Sequence, residues 1–226
     1  MIILGLIPAR GGSKGIPRKN ELPLAGRTLI ERTADAARAS GVVDRLVLTT
    51  DSDEVAAIGS RAGIDTIPRP AELANDEAPM LPVVLHALET LSAAGWTCDA
   101  VALLQPTQPL RTGPHIRAAV NLLEERGATA VVSVVPIPPH YAPEYAMRID
   151  AGRLLPYLDE GAAIIRRQDA APAFSRDGTI YLTRVDVLRR GSLYGEECLP
   201  LVISPSESAN LDTYEDWARA EELLAR

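Results

Sequence analysis

The sequence predicts an α/β protein whose doubly wound, mostly parallel sheet is Rossmann-like. Strands and helices alternate up to about residue 135, and the segments that resemble strands are continuous apolar runs. Such runs are typical of parallel strands that helices cover on both faces. A glycine-rich loop follows the first apolar run directly, at the carboxyl end of a strand, where sheets of this class bind ligands.

The alternation can be followed element by element. Strands are predicted at the apolar runs 2–7, 45–50, 65–67, 100–104 and 130–135. Helices are predicted where apolar residues recur at helical spacing or follow a capping sequence, at 28–39, 51–62, 81–94 and 114–126. Gly41 is expected to end the first helix. Beyond these, we predict strands at 179–183 and 199–203 and a closing helix at 213–225.

The alternating pattern breaks at residue 136. Prolines and tyrosines punctuate the segment that follows: Pro136, Pro138, Pro139, Tyr141, Pro143, Tyr145, Pro156 and Tyr157. This segment is poor in helix signals and yet too apolar for disorder. We therefore predict one domain over 1–226 with an inserted arm at about 136–176.

Composition excludes several classes of protein. A chain of 226 residues with 46% hydrophobic residues is long enough to bury a substantial core. The net charge of −7 disfavours nucleic-acid and membrane-surface partners. Cys98 and Cys198 are far apart and lack the spacing of metal ligands, which indicates free thiols in a reducing compartment. No signal peptide and no stretch of membrane-spanning length is recognised, so we expect a cytoplasmic protein.

Both lysines of the chain, Lys14 and Lys19, fall within the glycine-rich loop. The glycines Gly11, Gly12 and Gly15 allow backbone N–H groups to converge on an anion. A compact ammonium group acts as a point charge on a phosphate, whereas a guanidinium favours a two-pronged contact. The loop therefore predicts polyphosphate binding, and a solvated basic turn is the alternative interpretation.

The spacing of these glycines matches neither the Walker loop nor the dinucleotide-binding fingerprint. The string I-P-A-R-G-G-S-K-G-I-P-R-K-N, from Ile7 to Asn20, instead resembles the signature of the acylneuraminate cytidylyltransferase (CMP-sugar acid synthetase) family. Further motifs of that family follow in order: R-P-A-E-L-A-N-D at 69–76, L-L-Q-P-T-Q-P-L-R-T at 103–112, R-Q at 167–168, G-T-I-Y at 178–181 and N-L-D-T at 210–213. The resemblance covers nearly the whole chain.

The resemblance implies transfer of CMP from CTP to an acidic acceptor, with release of pyrophosphate. It implies that the loop backbone and Lys14 hold the β- and γ-phosphates and that Lys19 lies against the α-phosphate. The implied CTP-binding residues are Arg10, Gly11, Gly12, Ser13, Lys14, Lys19, Asn20 and Arg69, of which Arg10, Asn20 and Arg69 contact the cytidine. The implied catalytic residues are Lys19, Arg10 and Asp212.

The resemblance also implies Mg²⁺ as the cofactor, with Asp212 as its main protein ligand. Mg²⁺ prefers one or two carboxylates together with phosphate oxygens and waters. Asn210 stands where the family has an acidic residue, and its amide oxygen is a weaker ligand. Asp51 and Asp53 are alternative carboxylates, although their position after the second strand favours helix capping. Capping of the last helix is likewise the alternative role for Asp212.

On the acceptor side, the resemblance assigns Arg167 to a carboxylate, because a guanidinium grips a carboxylate through two parallel hydrogen bonds. Gln105 and Tyr181 are expected to contact hydroxyl groups of the acceptor. The alternative for Gln105 is a purely structural role in its loop. The alternative for Arg167 is an ion pair within the arm or between subunits.

The implied acceptor is a nonulosonic, sialic-acid-like sugar acid. The chain departs from the family near the expected acceptor, at 79–82, 143–144 and 194–198. These departures leave a small phosphonate acid such as phosphonoformate as an alternative acceptor, and Asn210 leaves a catalytically inactive nucleotide-binding sensor as an alternative of another class. In the family the arm reaches over a neighbouring subunit, which implies a homodimer. The alternative is a surface excursion of a monomer.

Overall fold

The structure is a computed structural model and describes residues 1–158 and 171–225. The strands are β1 (Ile3–Pro8), β2 (Pro23–Leu24), β3 (Arg27–Thr28), β4 (Arg45–Thr50), β5 (Asp65–Pro68), β6 (Ala100–Leu103), β7 (Ala130–Pro136), β8 (Met147–Asp150), β9 (Arg153–Pro156), β10 (Phe174–Arg184) and β11 (Cys198–Val202). The helices are α1 (Leu29–Ser40), α2 (Asp53–Arg61), α3 (Met80–Ala93), α4 (Gly113–Arg126), α5 (Val185–Arg189) and α6 (Tyr214–Leu224).

The central sheet has seven strands in the order β11-β7-β10-β6-β1-β4-β5. Neighbouring strands are parallel except at β10, which runs antiparallel to both β6 and β7. The chain builds outward from β1 to β5 and then returns to the other side of β1 at β6. The order therefore reverses between β1 and β6, where a crevice for a ligand forms at the carboxyl ends of the strands. The predicted fold class is confirmed.

Helices cover the sheet on both faces, and β1 contributes to the core on each side. Ile3 and Ile7 pack into the cluster beneath α1, α2 and α4, whereas Leu4 and Leu6 pack into the cluster beneath α3 and α5. All four side chains are buried. A strand that is buried on both faces needs apolar residues on both, which explains the continuous apolar run in the sequence.

Local signals set the ends of the helices near the loop region. Thr28 begins α1 through a reciprocal capping box: its hydroxyl accepts from the Glu31 N–H, and the Glu31 carboxylate accepts from the Thr28 N–H. Gly41 ends α1 with a φ of 67°, a left-handed conformation that glycine adopts without strain. Ser52 caps α2, so Asp53 is the first residue of that helix.

The structure differs from the sequence prediction most clearly at β10. This strand was predicted at 179–183, but it begins at Phe174 because its first part pairs with the end of β7. The register shifts between Arg176 and Tyr181, and Gly178 has a φ of 79° inside this irregularity. The hairpins β2–β3 and β8–β9 and the helix α5 were missed, since elements this short carry no recognisable periodicity.

Residues 137–158, which follow β7, form a segment outside the central sheet. Its base is joined by a hydrogen bond of 2.8 Å from the Ile137 N–H to the Ala173 carbonyl. The chain then passes through short 3₁₀ turns into the β8–β9 hairpin, whose exposed apolar side chains include Met147, Ile149 and Leu154. Across residues 1–158 and 171–225, no helix is both long enough and apolar enough to cross a membrane.

Candidate active site

A cleft of about 340 Å³ opens at the carboxyl ends of β1 and β6, where the strand order reverses. The glycine-rich loop after β1, the loop after β6 and the loop before α6 form its walls. Its lining residues are Pro8, Arg10, Gly12, Ser13, Lys19, Asn20, Arg69, Met80, Gln105, Pro106, Thr107, Asn210 and Asp212. The structure thus brings together most of the residues that the sequence analysis selected. Gly11, Lys14 and Tyr181 lie outside this lining, and Arg167 falls outside the described residues.

A larger, open groove of about 800 Å³ lies at the opposite end of the sheet. Charged side chains in this groove hold the fold together. Asp99 accepts a 2.6 Å hydrogen bond from the Ile2 N–H, and Arg184 donates one of 2.8 Å to the Ala128 carbonyl. We therefore assign the candidate active site to the smaller cleft, which contains the glycine-rich loop.

The glycine-rich loop is fixed by contacts to the end of β4. The Gly11 N–H donates to Asp51 Oδ1 over 3.0 Å. A Cβ atom on Gly11 would lie 2.7 Å from the Cβ of Ser52, so this approach requires glycine. Asn20 closes the loop from the other side, because its amide donates to the Arg10 carbonyl over 3.0 Å. Asp51 therefore anchors the loop, and its predicted role as a helix cap belongs to Ser52 instead.

Two cations of the cleft are buried and held by backbone oxygens. Lys19, which is 8% exposed, donates to the Leu211 carbonyl. Burial lowers the pKa of the Lys19 ammonium, and the carboxylate of Asp212 partly offsets that effect. Arg69 donates to the Thr49 carbonyl over 2.7 Å, and burial lowers its pKa to about 10. Both groups are held in place before any substrate arrives, which favours electrostatic stabilisation of an anion.

Two further cations of the loop are more exposed and share one carboxylate. Arg10 forms an ion pair with Asp76, and Lys14 Nζ lies 3.0 Å from Asp76 Oδ2. Hydrogen bonds from Lys14 and Arg10 hold the pKa of Asp76 below its ordinary value. In the sequence, Asp76 stands out only as the last residue of the motif at 69–76, which indicates no role for it.

Asp212 faces Lys19 across the cleft. Its Oδ1 lies 3.7 Å from Lys19 Nζ, and the Asn210 amide donates to its Oδ2 over 2.5 Å. Thr213 caps α6 through a capping box with Asp216, so the helix leaves the Asp212 side chain free to point at the cleft. The capping role considered for Asp212 is therefore filled by its neighbour.

The donor set at this position fits Mg²⁺. Asp212 offers a carboxylate that is largely exposed to the cleft, and Asn210 offers an amide oxygen. Across the described ranges no cluster of three or more histidine, cysteine, aspartate or glutamate side chains could hold a metal by itself. Mg²⁺ needs no such cluster, because it binds through one or two carboxylates together with substrate phosphates and waters.

Gly15 lies directly against the carbonyl oxygen of Asp212, and a Cβ atom there would overlap that oxygen. We predict that Gly15→Ala lowers the free energy of unfolding by about 2–3 kcal/mol, because overpacking forces the loop away from the residues before α6. Gly12→Ala is the matched control, since a Cβ atom on Gly12 meets nothing within 4 Å. Denaturant unfolding of both variants measures the difference. Equal stabilities would contradict the close approach.

Of the two described residues that were expected to contact the acceptor, Gln105 lies in the cleft lining and Tyr181 does not. Gln105 lines the cleft, and its Oε1 lies 3.2 Å from where a Cβ on Gly178 would be. Tyr181 is half-buried within β10 and packs edge-on against Tyr194, with ring centroids 6.3 Å apart. Burial raises the pKa of its hydroxyl. The structure therefore brings Gln105 to the cleft and holds Tyr181 in a neighbouring aromatic pair.

A buried arginine that was not predicted from the sequence organises this side of the cleft. Arg111 donates to the carbonyls of Gln105 (2.6 Å) and Gly178 (3.2 Å) and to the Thr33 hydroxyl (3.2 Å). A further hydrogen bond reaches the Thr179 carbonyl. Burial lowers the pKa of its guanidinium. Arg111 belongs to the motif at 103–112, but a linear motif gives no sign that its arginine is fully buried.

The glycine-rich, cation-rich loop lies where the strand order of this doubly wound sheet reverses. Such a site is suited to holding a nucleotide by its phosphates. The fold and the site thus define a nucleotidyltransferase. More particularly, the chain matches the family model described as cytidylyltransferase over residues 4–187 and belongs to that family.

Two curated relatives agree with this assignment, and a solved structure shares the fold. The chain is 36% identical to CMP-N,N'-diacetyllegionaminic acid synthase of Legionella pneumophila, over 99% of this chain and 97% of that protein. It is 30% identical to N-acylneuraminate cytidylyltransferase of Streptococcus agalactiae over 94% of this chain, which spans about half (51%) of that longer relative. The solved structure of CMP:2-keto-3-deoxy-manno-octonic acid synthetase complexed with CTP has a TM-score of 0.75 and 16% identity, covering 100% of this chain and 99% of that chain. That likeness concerns the fold.

Proposed function

We propose that this protein transfers CMP from CTP to a nonulosonic, sialic-acid-like sugar acid and releases pyrophosphate. The observation that carries the proposal is the cleft in which Lys19 and Asp212 face each other, 3.7 Å apart, beside the glycine-rich loop. The similarity to CMP-N,N'-diacetyllegionaminic acid synthase extends over nearly the full length of both proteins and supports this class of acceptor.

In the proposed reaction a hydroxyl oxygen of the acceptor attacks the α-phosphorus of CTP, and the hydroxyl proton passes to water. The bond from that phosphorus to the oxygen bridging to the β-phosphorus breaks. Negative charge develops on the phosphoryl oxygens and on the departing pyrophosphate. Lys19 stabilises the α-phosphoryl group, while Lys14 and the backbone of the glycine-rich loop receive the pyrophosphate. Because Lys19 is already fixed by the Leu211 carbonyl, little reorganisation accompanies the reaction.

We further propose Mg²⁺ as the cofactor, with Asp212 and Asn210 as its protein ligands. Bound there, the metal supplies positive charge that neutralises the phosphates of the nucleotide. Asp212 lies 3.7 Å from Lys19, so a metal held by Asp212 and Asn210 would add its positive charge close to that of Lys19. A cytoplasmic location completes the proposal and is consistent with the free thiols of Cys98 and Cys198.

A pyrophosphate-release assay with CTP and Mg²⁺ tests this function. The acceptor panel includes N,N'-diacetyllegionaminic acid, N-acetylneuraminic acid, 2-keto-3-deoxy-manno-octonic acid and phosphonoformate, and UTP replaces CTP as the control nucleotide. We expect release with at least one of the nonulosonic acids. Release with phosphonoformate alone would instead identify a phosphonate-activating enzyme. CTP binding without release for any acid would contradict CMP transfer and favour a nucleotide sensor.

Arg167 carries a separate prediction, which rests on the R-Q motif alone. Arg167→Lys keeps the charge but loses the planar fork, so we expect kcat/KM for the acceptor to fall by about tenfold to a hundredfold. CTP affinity is expected to stay unchanged, because the glycine-rich loop holds the triphosphate. Steady-state kinetics with each substrate varied in turn measures the split. Arg166→Lys is the matched control, and an unchanged acceptor KM for Arg167→Lys would exclude the assigned role.

We also propose a homodimer built on the arm at about 136–176. Three side chains of the β8–β9 region expose most of their surface, at 78% for Ile149, 65% for Leu154 and 66% for Tyr157. Exposed apolar side chains gathered on one protruding element are typical of a protein interface. Ile149→Asp is therefore expected to shift a dimer to monomer in sedimentation velocity at micromolar concentration. The control is Tyr214→Ser, because Tyr214 is an exposed aromatic residue outside the arm. If the unmodified protein is a monomer, the proposed homodimer is wrong.

A further inference from the structure

The four cations around the cleft fall into two electrostatic groups. Lys19 and Arg69 are buried and donate to backbone oxygens, and Lys19 also lies 3.7 Å from Asp212. Arg10 and Lys14 are more exposed, and both form ion pairs with the single carboxylate of Asp76. Two of the cations that surround the cleft, Arg10 and Lys14, are therefore already paired with an anion of the protein itself.

Asp76 belongs to the segment 70–79, which joins β5 to α3. The side-chain hydrogen bonds of this segment stay within it. The Asn75 amide donates to the Glu72 carbonyl over 2.9 Å, and the Glu77 N–H donates to the Asn75 side chain over 2.9 Å. Within the described residues, the side-chain links from this segment to the rest of the protein are the ion pairs of Asp76. The segment leads directly into Met80, which lines the cleft.

We propose that Asp76 is an internal substitute for the phosphates of CTP, which occupies Arg10 and Lys14 in the free protein and is displaced when the triphosphate binds. This inference rests on the proposed function and adds a role for a residue outside the reacting groups. A triphosphate delivers several negative charges to the same cations, and the carboxylate cannot stay 3.0 Å from Lys14 without strong like-charge repulsion. Displacement also releases segment 70–79 beside the cleft wall.

The exchange also accounts for selectivity towards polyphosphates. Because Asp76 belongs to the same chain, its carboxylate competes for Arg10 and Lys14 at a high effective concentration. An anion with one phosphate therefore gains little binding free energy by replacing it. A triphosphate that contacts several loop groups at once replaces one carboxylate with several phosphoryl oxygens. Asp76 thereby lowers the apparent affinity for every anion, and the penalty is most significant for small anions such as inorganic phosphate.

The test compares Asp76→Asn with the unmodified protein by isothermal titration calorimetry, using CTP without acceptor and, separately, inorganic phosphate. Since two exposed ion pairs are removed, we expect the Kd for CTP to fall by about three- to tenfold at low salt. The gain should shrink as salt is added, because the pairs are exposed to solvent. Inorganic phosphate should bind measurably better to the variant. Glu77→Gln is the matched control, since it removes the same charge from the next residue without touching Arg10 or Lys14.

Each outcome has a distinct meaning. An unchanged or raised Kd for CTP in Asp76→Asn would overturn the inference and make Asp76 a residue that positions the two cations for the nucleotide. An equal gain in Glu77→Gln would also overturn it, because general charge would then explain the effect. If the unmodified protein binds no CTP, the proposed function fails and the inference fails with it. Thermal unfolding of both variants verifies that each is folded.

Discussion

Replacing Lys19 with alanine is expected to lower kcat for CMP transfer by about 100- to 1,000-fold, the usual loss when one fixed donor to a developing negative charge is removed. The Kd for CTP should change by less than about fivefold, because a group that acts mainly in the transition state contributes little to ground-state binding. Arg10, Lys14 and Arg69 remain to hold the nucleotide. Steady-state kinetics together with calorimetric CTP binding measures the two effects separately.

Arg18→Ala is the control for this experiment. Arg18 is the neighbouring cation in the loop, but its side chain is exposed and pairs with Glu21. Its removal should leave kcat within about twofold, since exposed ion pairs contribute little. Lys19 also donates to the Leu211 carbonyl, so thermal unfolding must show that the alanine variant is folded. Wild-type turnover in a folded Lys19→Ala protein would remove Lys19 from the reaction.

Arg111→Met is expected to have the largest effect on stability. The substitution keeps a long apolar side chain but leaves the buried carbonyl oxygens of Gln105, Gly178 and Thr179 without their donor. Removing one partner from such a buried charged network lowers the free energy of unfolding by about 3–5 kcal/mol. For a chain of this size, that loss corresponds to a fall in Tm of roughly 6–20 °C. Calorimetric unfolding measures it directly.

Arg117→Met provides the matched comparison. Arg117 also donates to backbone carbonyls, at Ser40 (2.8 Å) and Ala39 (3.1 Å), but it is exposed, so water replaces the lost donor. Its loss should be limited to about 1 kcal/mol. A folded Arg111→Met variant is further expected to bind acceptor less well, because the carbonyl of Gln105 loses its anchor. If both arginine variants unfold at the same temperature, burial of Arg111 has no energetic significance.

The sequence determined the features that depend on local pattern. The strand 45–50 was predicted with its observed bounds, because its apolar run lies between clear turn signals. Gly41 ends α1 as predicted, since a left-handed residue after a helix strongly favours glycine. The glycine-rich loop and its lysines also follow from local chemistry, and the carboxyl ends of parallel strands necessarily meet at one edge of the sheet. The cleft was therefore predictable in position and in general character.

The tertiary structure alone decided which of these residues are free to act. No sequence pattern shows that Asp76 forms ion pairs with Arg10 and Lys14, because this pairing joins segments far apart in the chain. Burial of Arg111, the position of Tyr181 beside Tyr194 and the release of Asp212 by the Thr213 cap are likewise products of packing. Sequence fixes the type and order of side chains, whereas contact partners and exposure depend on how distant elements fold together. For this protein the sequence thus determined the family, the fold class and the set of candidate residues, and the folded chain determined how their charges are paired.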